Sequence, residues 1–249
     1  MDTQQLQKTH YDTIAAEYTA HYGDIWSQKY RYKFFNQPMF ANIALADKKV
    51  VEAMCGSGET TGYLLENGAR VIGIDISEQE ISHFRERWTD CEAICASILE
   101  TGLESNSCDV VAIVGGLHHV HPYVSDAIAE IYRILKPGGY LCFLEPHKGS
   151  FPDAIRNFWY KRDRKYFADN EEAIDLDQLK KEFSSKFSFV KEQYKGNVAY
   201  LFVLSSLILR IPLSWKPIYS PFLLWLESLI EKFQGKLFSC VVICQWQKR

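Results

Sequence analysis

Acids, glycines and histidines recur along this chain where an apolar run gives way to a turn. Val50-Val51-Glu52-Ala53-Met54-Cys55-Gly56-Ser57-Gly58 ends an apolar stretch in an acid and a glycine turn, and a helix-like segment from Thr60 to Glu66 follows. Gly56 and Gly58 let the backbone turn sharply and come close to a ligand. The helix that follows points unpaired N–H groups at whatever lies there. A second apolar run, Val71 to Ile76, carries Asp75 near its end. An acid at the tip of the second strand of a βαβ unit is placed to hold two ribose hydroxyls. The first half of the chain is therefore expected to bind a nucleoside-like cofactor. Further on, Gly115-Gly116-Leu117-His118-His119-Val120-His121 follows the apolar run Val110 to Val114. A histidine titrating near neutrality is a natural base for a hydroxyl acceptor. Glu145 and His147, at the end of the run Tyr140 to Leu144, are further candidates.

The glycine pattern discriminates between cofactors. A dinucleotide fingerprint, G-x-G-x-x-G, needs a third glycine for close helix–strand packing, and Thr61 stands there. A phosphate-binding P-loop needs Lys after its last glycine, and Glu59 stands there instead. Over residues 10 to 147 the chain resembles the class I S-adenosylmethionine-dependent methyltransferases. Four features carry the likeness: the acid-x-x-x-G-x-G turn from Glu52 to Gly58, Asp75 ending the second strand, Asp109 opening the fourth, and a helix running into Leu135-Lys136-Pro137-Gly138-Gly139 and a fifth strand.

The resemblance implies roles. Gly56 and Gly58 would admit the methionine part of S-adenosylmethionine. Glu52 would engage its amino group, directly or through water, Asp75 the ribose, and Ile76 the adenine. Alignment back from Asp109 puts Ser97 where the family often has an aspartate reading the adenine amine, so Ser97 and Ile98 are expected at the adenine. Gly115 and Gly116 would line the pocket. Leu-His-His after strand four is common in O- and C-methylating relatives. It offers His118 first and His119 second as catalytic candidates, beside the further candidate Glu145, while a purely loop-orienting histidine and a structural Glu145 remain open alternatives. No Asn-Pro-Pro-Tyr motif follows strand four, which disfavours amide or nucleobase N-methylation. The glycine turn further predicts that Gly58→Val abolishes cofactor binding without unfolding the chain.

Positioning these residues requires strands alternating with helices, hence a mostly parallel sheet covered on both faces. The pattern predicts strands 50–54, 71–75, 92–95, 109–114, 140–144, 187–194 and 237–246. It predicts helices 60–67, 122–135 and 175–183, and one opened by the capping box Ser77-Glu78-Gln79-Glu80. The fold class is α/β, a Rossmann-like seven-stranded methyltransferase sheet, mostly parallel with the last strand antiparallel. The expected organisation is an N-terminal helical cap segment, 1–45, an α/β core, 46–196, containing a segment 146–173 after strand five, an apolar cap insertion, 197–236, and a final strand, 237–249. Tyr11, Ile14, Tyr18 and Tyr22 recur at helical steps in the first segment. Tyr11 and Tyr18 are candidates to touch cofactor or acceptor, although most such stripes simply pack.

The insertion contains Val198 to Leu209 and, after a break at Pro217 and Pro221, Phe222 to Ile230. Neither run reaches the ~20 apolar residues of a membrane span. Three readings stay open: a buried cap helix, the lining of a pocket for an apolar acceptor, and a patch dipping into a membrane interface. Cations bracketed by aromatics at 158–167 read either as a solvated helix face or as a contact with an anionic lipid or a phosphate. The net charge of −3 gives no electrostatic reason to expect nucleic acid. Met1-Asp2-Thr3-Gln4-Gln5 lacks the apolar core of a secretory signal. The seven cysteines lack C-x-x-C metal spacing and read as free thiols of a reducing compartment, with Cys240 and Cys244 on one strand face.

The sequence thus predicts transfer of a methyl group from S-adenosylmethionine, leaving S-adenosylhomocysteine, to a small apolar acceptor, at oxygen before carbon and without a metal. The protein is expected to be cytoplasmic, with peripheral membrane contact as one alternative. A non-catalytic S-adenosylmethionine- or lipid-binding module would keep the same motifs. A nicotinamide-dependent oxidoreductase fits less well because of Thr61 and the L-K-P-G-G block.

Overall fold

The computed structural model describes residues 21–160 and 172–249. Tyr11, Tyr18 and residues 161–167 of the aromatic-flanked cation run lie outside them. Seven strands form one sheet: β1 Lys49–Ala53, β2 Arg70–Asp75, β3 Glu92–Cys95, β4 Cys108–Val114, β5 Leu135–Pro146, β6 Phe187–Lys195 and β7 Val241–Lys248. Their order is β3-β2-β1-β4-β5-β7-β6. Only β7 runs antiparallel, hydrogen-bonded to β5 on one side and β6 on the other. Strand order reverses between β1 and β4, and in open α/β sheets the crevice at that switch point takes the ligand.

The helices are α1 Ile25–Tyr30, α2 Thr61–Glu66, α3 Glu78–Arg87, α4 Val124–Ile134, α5 Phe151–Tyr160, α6 Leu176–Glu182, α7 Val198–Phe202 and α8 Lys216–Ile230. Alternation along the strands makes two cores. Val50, Val71, Val110 and Ile243 face Phe34, Leu64, Phe84 and Val203, so α1 to α3 and the cap share one side. Val51, Ile72, Val111 and Phe143 face Ile128, Ile131 and Leu179, so α4 and α6 cover the other. Asp109, at the end of the sheet away from the switch-point crevice, accepts from the Lys49 N–H at 2.9 Å and from Lys136 Nζ at 2.9 Å. The lysine of the L-K-P-G-G block therefore ties β5 to β4. Gly139 is obligatory there, because a Cβ would lie 2.8 Å from the Asp109 carbonyl oxygen.

Several boundaries differ from expectation. The last strand begins at Val241, because Lys236–Phe238 forms a 3₁₀ turn with Leu237 and Phe238 exposed. Cys240 thus precedes the strand, and it and Cys244 fall in opposite cores. Ser77 does cap α3, its Oγ accepting from the Glu80 N–H, but the Ser77 N–H is taken by Asp75. The run Val198 to Leu209 is not one helix: α7 ends at Phe202 and a 3₁₀ turn, Leu204–Ser206, follows. Pro217 opens α8 and Pro221 lies inside it, so neither proline breaks the second run.

The cap is fastened by buried polar groups. Lys216 Nζ, on a side chain only 1% exposed, donates to Asp24 Oδ2, to Ser27 Oγ at 2.8 Å and to the His21 carbonyl at 2.9 Å. Glu227 accepts from the N–H groups of Asn197 (2.7 Å) and Ala199 (2.9 Å) and from the Tyr30 hydroxyl (3.1 Å). It therefore caps α7 and joins both cap helices to α1.

Candidate functional site

The ends of β1, β2 and β4 open into a cleft lined by Glu52, Met54, Gly56, Thr60, Asp75, Ile76, Glu80, Gly115, Gly116, His119 and Arg31, among others. An adjoining groove is lined by Asp75, Ile76, Ser97, Ile98 and Val120. Asp75 and Ile76 belong to both, so the carboxylate at the tip of β2 stands between two subsites. Its Oδ2 accepts from the Gly56 N–H and its Oδ1 from the Ser77 N–H, each at 2.9 Å. These bonds hold the carboxylate at the ends of the two βα turns.

The structure brings together Glu52, Gly56, Asp75, Ile76, Gly115, Gly116 and His119 at the cleft, and Ser97 and Ile98 at the groove. Gly58 does not join them. Its bare face is covered by α3, where a Cβ would lie 2.4 Å from Trp88 Nε1 and 2.8 Å from Phe84 Cε2. Gly58→Val is therefore destabilising in itself, contrary to the sequence expectation. Gly56 is the glycine of the turn that lines the cleft, with φ of +52° and its Cβ direction toward Glu80 Oε2.

Glu52 is buried, and its oxygens accept from the Thr60 N–H at 3.0 Å and from the Thr61 hydroxyl. Thr61, which breaks the dinucleotide pattern, thus anchors the acid of β1. Burial pushes the Glu52 carboxyl up to about 7 against the pull of these bonds.

Glu145, fully buried at the end of β5, accepts from the N–H groups of Gly116 and Leu117, each at 2.7 Å, and of His118 at 3.3 Å. The His118 ring nitrogen Nδ1 lies 2.8 Å from its other oxygen. One side chain of β5 therefore moulds the loop after β4. Burial raises the Glu145 carboxyl to about 7 against these donors. His118 is not among the cleft-lining residues, and His119, its ring tilted 39° to that of His118 at 3.8 Å between centroids, lines the cleft. Of the two histidines, ranked His118 before His119 from the sequence, it is His119 that lines the cleft. His147 is buried beside Tyr194, away from the cleft-lining residues.

Sequence reasoning missed Arg31. It sits in the π-helical turn Arg31–Asn36 that continues α1, is 7% exposed, and lines the cleft. Among the described residues its Nε and Nη1 have no hydrogen-bond partner. A buried guanidinium with open donors suits a carboxylate, which matches its fork. With Asp75 between the subsites, these residues fit S-adenosylmethionine, whose amino-acid end carries a carboxylate and whose middle is a ribose. The signal for Arg31 was absent because it belongs to no motif and is brought over the cleft by a helix distant in sequence.

Residues 51–143 match the family model described as methyltransferase domain. The malonyl-[acyl-carrier protein] O-methyltransferase of Enterobacter lignolyticus is 31% identical over 55% of this chain and 55% of its own length. The ubiquinone/menaquinone biosynthesis C-methyltransferase of Campylobacter jejuni is 31% identical over 46% of this chain and 53% of its own. The chain spans about half the length of these curated relatives. The crystal structure of an S-adenosylmethionine-dependent methyltransferase from Thermotoga maritima, 18% identical, superposes with a TM-score of 0.67 over 97% of this chain and 99% of that one, a likeness of fold. Motif, cleft and comparisons agree in their likeness: residues 51–143 match a methyltransferase domain, and the fold is that of S-adenosylmethionine-dependent methyltransferases.

Proposed function

We propose that the protein transfers the methyl group of S-adenosylmethionine to a small apolar acceptor, at oxygen in preference to carbon. The observation that carries this reading is the cleft itself, with Asp75 dividing two subsites and Arg31 buried with open donors at one of them. When bound, S-adenosylmethionine supplies an electrophilic methyl group for in-line displacement. Arg31 pairs with the carboxylate of its amino-acid end, Asp75 accepts from the ribose hydroxyls, and Ile76, Ser97 and Ile98 border the adenine. Gly115 and Gly116 bring bare backbone to the cleft. His119 takes the proton from the acceptor hydroxyl, and His118, held by Glu145, fixes the plane of the ring against which His119 lies. The preference for oxygen rests on His119, because a hydroxyl nucleophile needs a base. The apolar acceptor is inferred from the apolar composition of the cap, which packs on α1 outside the lining of the cleft.

Calorimetric titration with S-adenosylhomocysteine, with NAD as comparison, tests the reading. S-adenosylhomocysteine alone is expected to bind. Arg31→Met is expected to weaken it by roughly tenfold to a hundredfold, the loss of a charge-assisted pair. Failure of the wild-type chain to bind S-adenosylhomocysteine would overturn the cofactor assignment. Unchanged affinity in Arg31→Met would remove Arg31 from the site.

A further inference from the structure

Helix α8 is inverted relative to an ordinary surface helix. Its polar residues Lys216, Ser220 and Glu227 are buried against α1 and α7. Its exposed face carries Trp215, at the N-cap, then Ile218, Phe222, Trp225 and Leu229, at steps of three and four residues, with Phe233 in the following turn. Ile218 is 81% exposed, Phe222 60%, Trp225 57% and Phe233 92%. Single exposed apolar residues need no explanation, but an apolar stripe along a whole helix marks a contact surface. The first run of the insertion, by contrast, is largely buried: Ala199, Val203, Leu204 and Leu207 lie in the core. Among the described residues, none of 197–236 lines the cofactor cleft. The stripe therefore faces outward rather than into that pocket.

The charges around it decide the partner. The acids of the cap are Glu227, which is buried, and Glu231, which pairs with Lys195 at 2.6 Å. The acid of the adjoining α1 segment, Asp24, pairs with Lys216. The cations of the same surface are turned outward: Lys29 and Lys33 on α1 and its continuation, and Lys232 after α8. Lys33 Nζ donates to Ser228 Oγ at 2.7 Å, which places it at the edge of the stripe beside Leu229. A chain of net charge −3 thus presents an apolar stripe with a positive rim. A second copy of the chain would bring the same cations against that rim. An anionic lipid surface answers both features, because aromatic residues settle at the headgroup level and each nearby lysine adds attraction. Among the described residues no helix is long and apolar enough to cross a membrane, and α8, at about 1.5 Å per residue, has the length to lie in its plane.

We propose that α8 docks the protein on an anionic membrane surface through Trp215, Ile218, Phe222, Trp225, Leu229 and Phe233, with Lys29, Lys33 and Lys232 against the headgroups. The docking rests on the outward face of the cap and the lysines of α1 beside it, and does not require the methyl-transfer reading. The full chain is mixed with vesicles of phosphatidylcholine, with and without phosphatidylglycerol, and recovered by flotation. Co-flotation with the anionic vesicles, weakened by added salt, is expected. The double variant Phe222→Glu, Trp225→Glu should lose about tenfold or more of the bound fraction. It should keep the thermal midpoint and S-adenosylhomocysteine affinity of the parent. Lys29→Glu with Lys232→Glu should lose binding severalfold while every apolar contact remains. No binding of the wild-type chain to anionic vesicles overturns the proposal. So does a dimer in sedimentation velocity that Phe222→Glu, Trp225→Glu dissolves while vesicle binding is absent, which would assign the stripe to a second copy. Equal binding to neutral and anionic vesicles removes the anionic part.

Discussion

At the residue scale, Glu145 shapes the loop beside the cleft, and His119 is the proposed base within it. Glu145 satisfies three buried backbone N–H groups, that of the cleft-lining Gly116 among them, and the His118 ring, but does not itself line the cleft. Glu145→Ala leaves those donors without a partner, and an unfolding cost of about 3 kcal/mol is expected in urea titration. His119 lines the cleft, so His119→Ala is expected to leave the urea midpoint nearly unchanged. Its kcat on a hydroxyl acceptor should fall by roughly a hundredfold or more, the usual contribution of a general base. A His119→Ala enzyme with unaltered kcat across pH would return the histidine pair to a purely loop-forming role.

At the element scale, the cap holds to the core through few but buried polar anchors. Glu227 is the central one, since α7, α8 and α1 all meet at its carboxylate. Burial holds its carboxyl above the usual range, so much of the solvation it gave up is recovered only through these donors. Glu227→Leu keeps the volume but strands the N–H groups of Asn197 and Ala199 and the Tyr30 hydroxyl. Faster hydrogen exchange in α7 and α8, with β1 and β4 still protected, is the expected outcome. Uniform protection across the chain would show that the carboxylate is dispensable. The same inside-out polarity explains why α8 can offer its apolar residues to the outside without coming loose.

At the scale of the whole molecule, pH acts through acids displaced in opposite directions. The Arg133 guanidinium, bonded to Glu130 at 2.6 Å, pulls that carboxyl from its ordinary 4.5 to about 2, with Thr101 assisting. A lowered acid stabilises the fold fully above its unfolded value, and that contribution is lost as pH falls from 4.5 through about 2. Glu52, raised to about 7 by burial, works the other way: the fold binds more protons than the unfolded chain, and stability declines as pH rises from 4.5 through about 7. Thermal midpoints from pH 2 to 5 should therefore rise, and Glu130→Gln should flatten that limb. An unchanged slope in the variant would deny Glu130 its part.

The alternation of apolar runs, the glycine turn and the L-K-P-G-G block determined the sheet, its helices and most residues that line the cleft, because these are local patterns repeated at the period of the backbone. The acid at the tip of β2 was legible for the same reason: a βαβ unit delivers it wherever the unit folds. Tertiary structure alone decided what depends on encounters between distant segments. Arg31 reaches the cleft from a helix ahead of the sheet. Trp88 covers Gly58, which removes that glycine from the ligand side. Glu145 reaches across from β5 to hold His118 beside His119. Composition marked the insertion as apolar, but Lys216 and Glu227 point inward only because α1 supplies their partners, and that pairing turns the aromatic stripe of α8 outward.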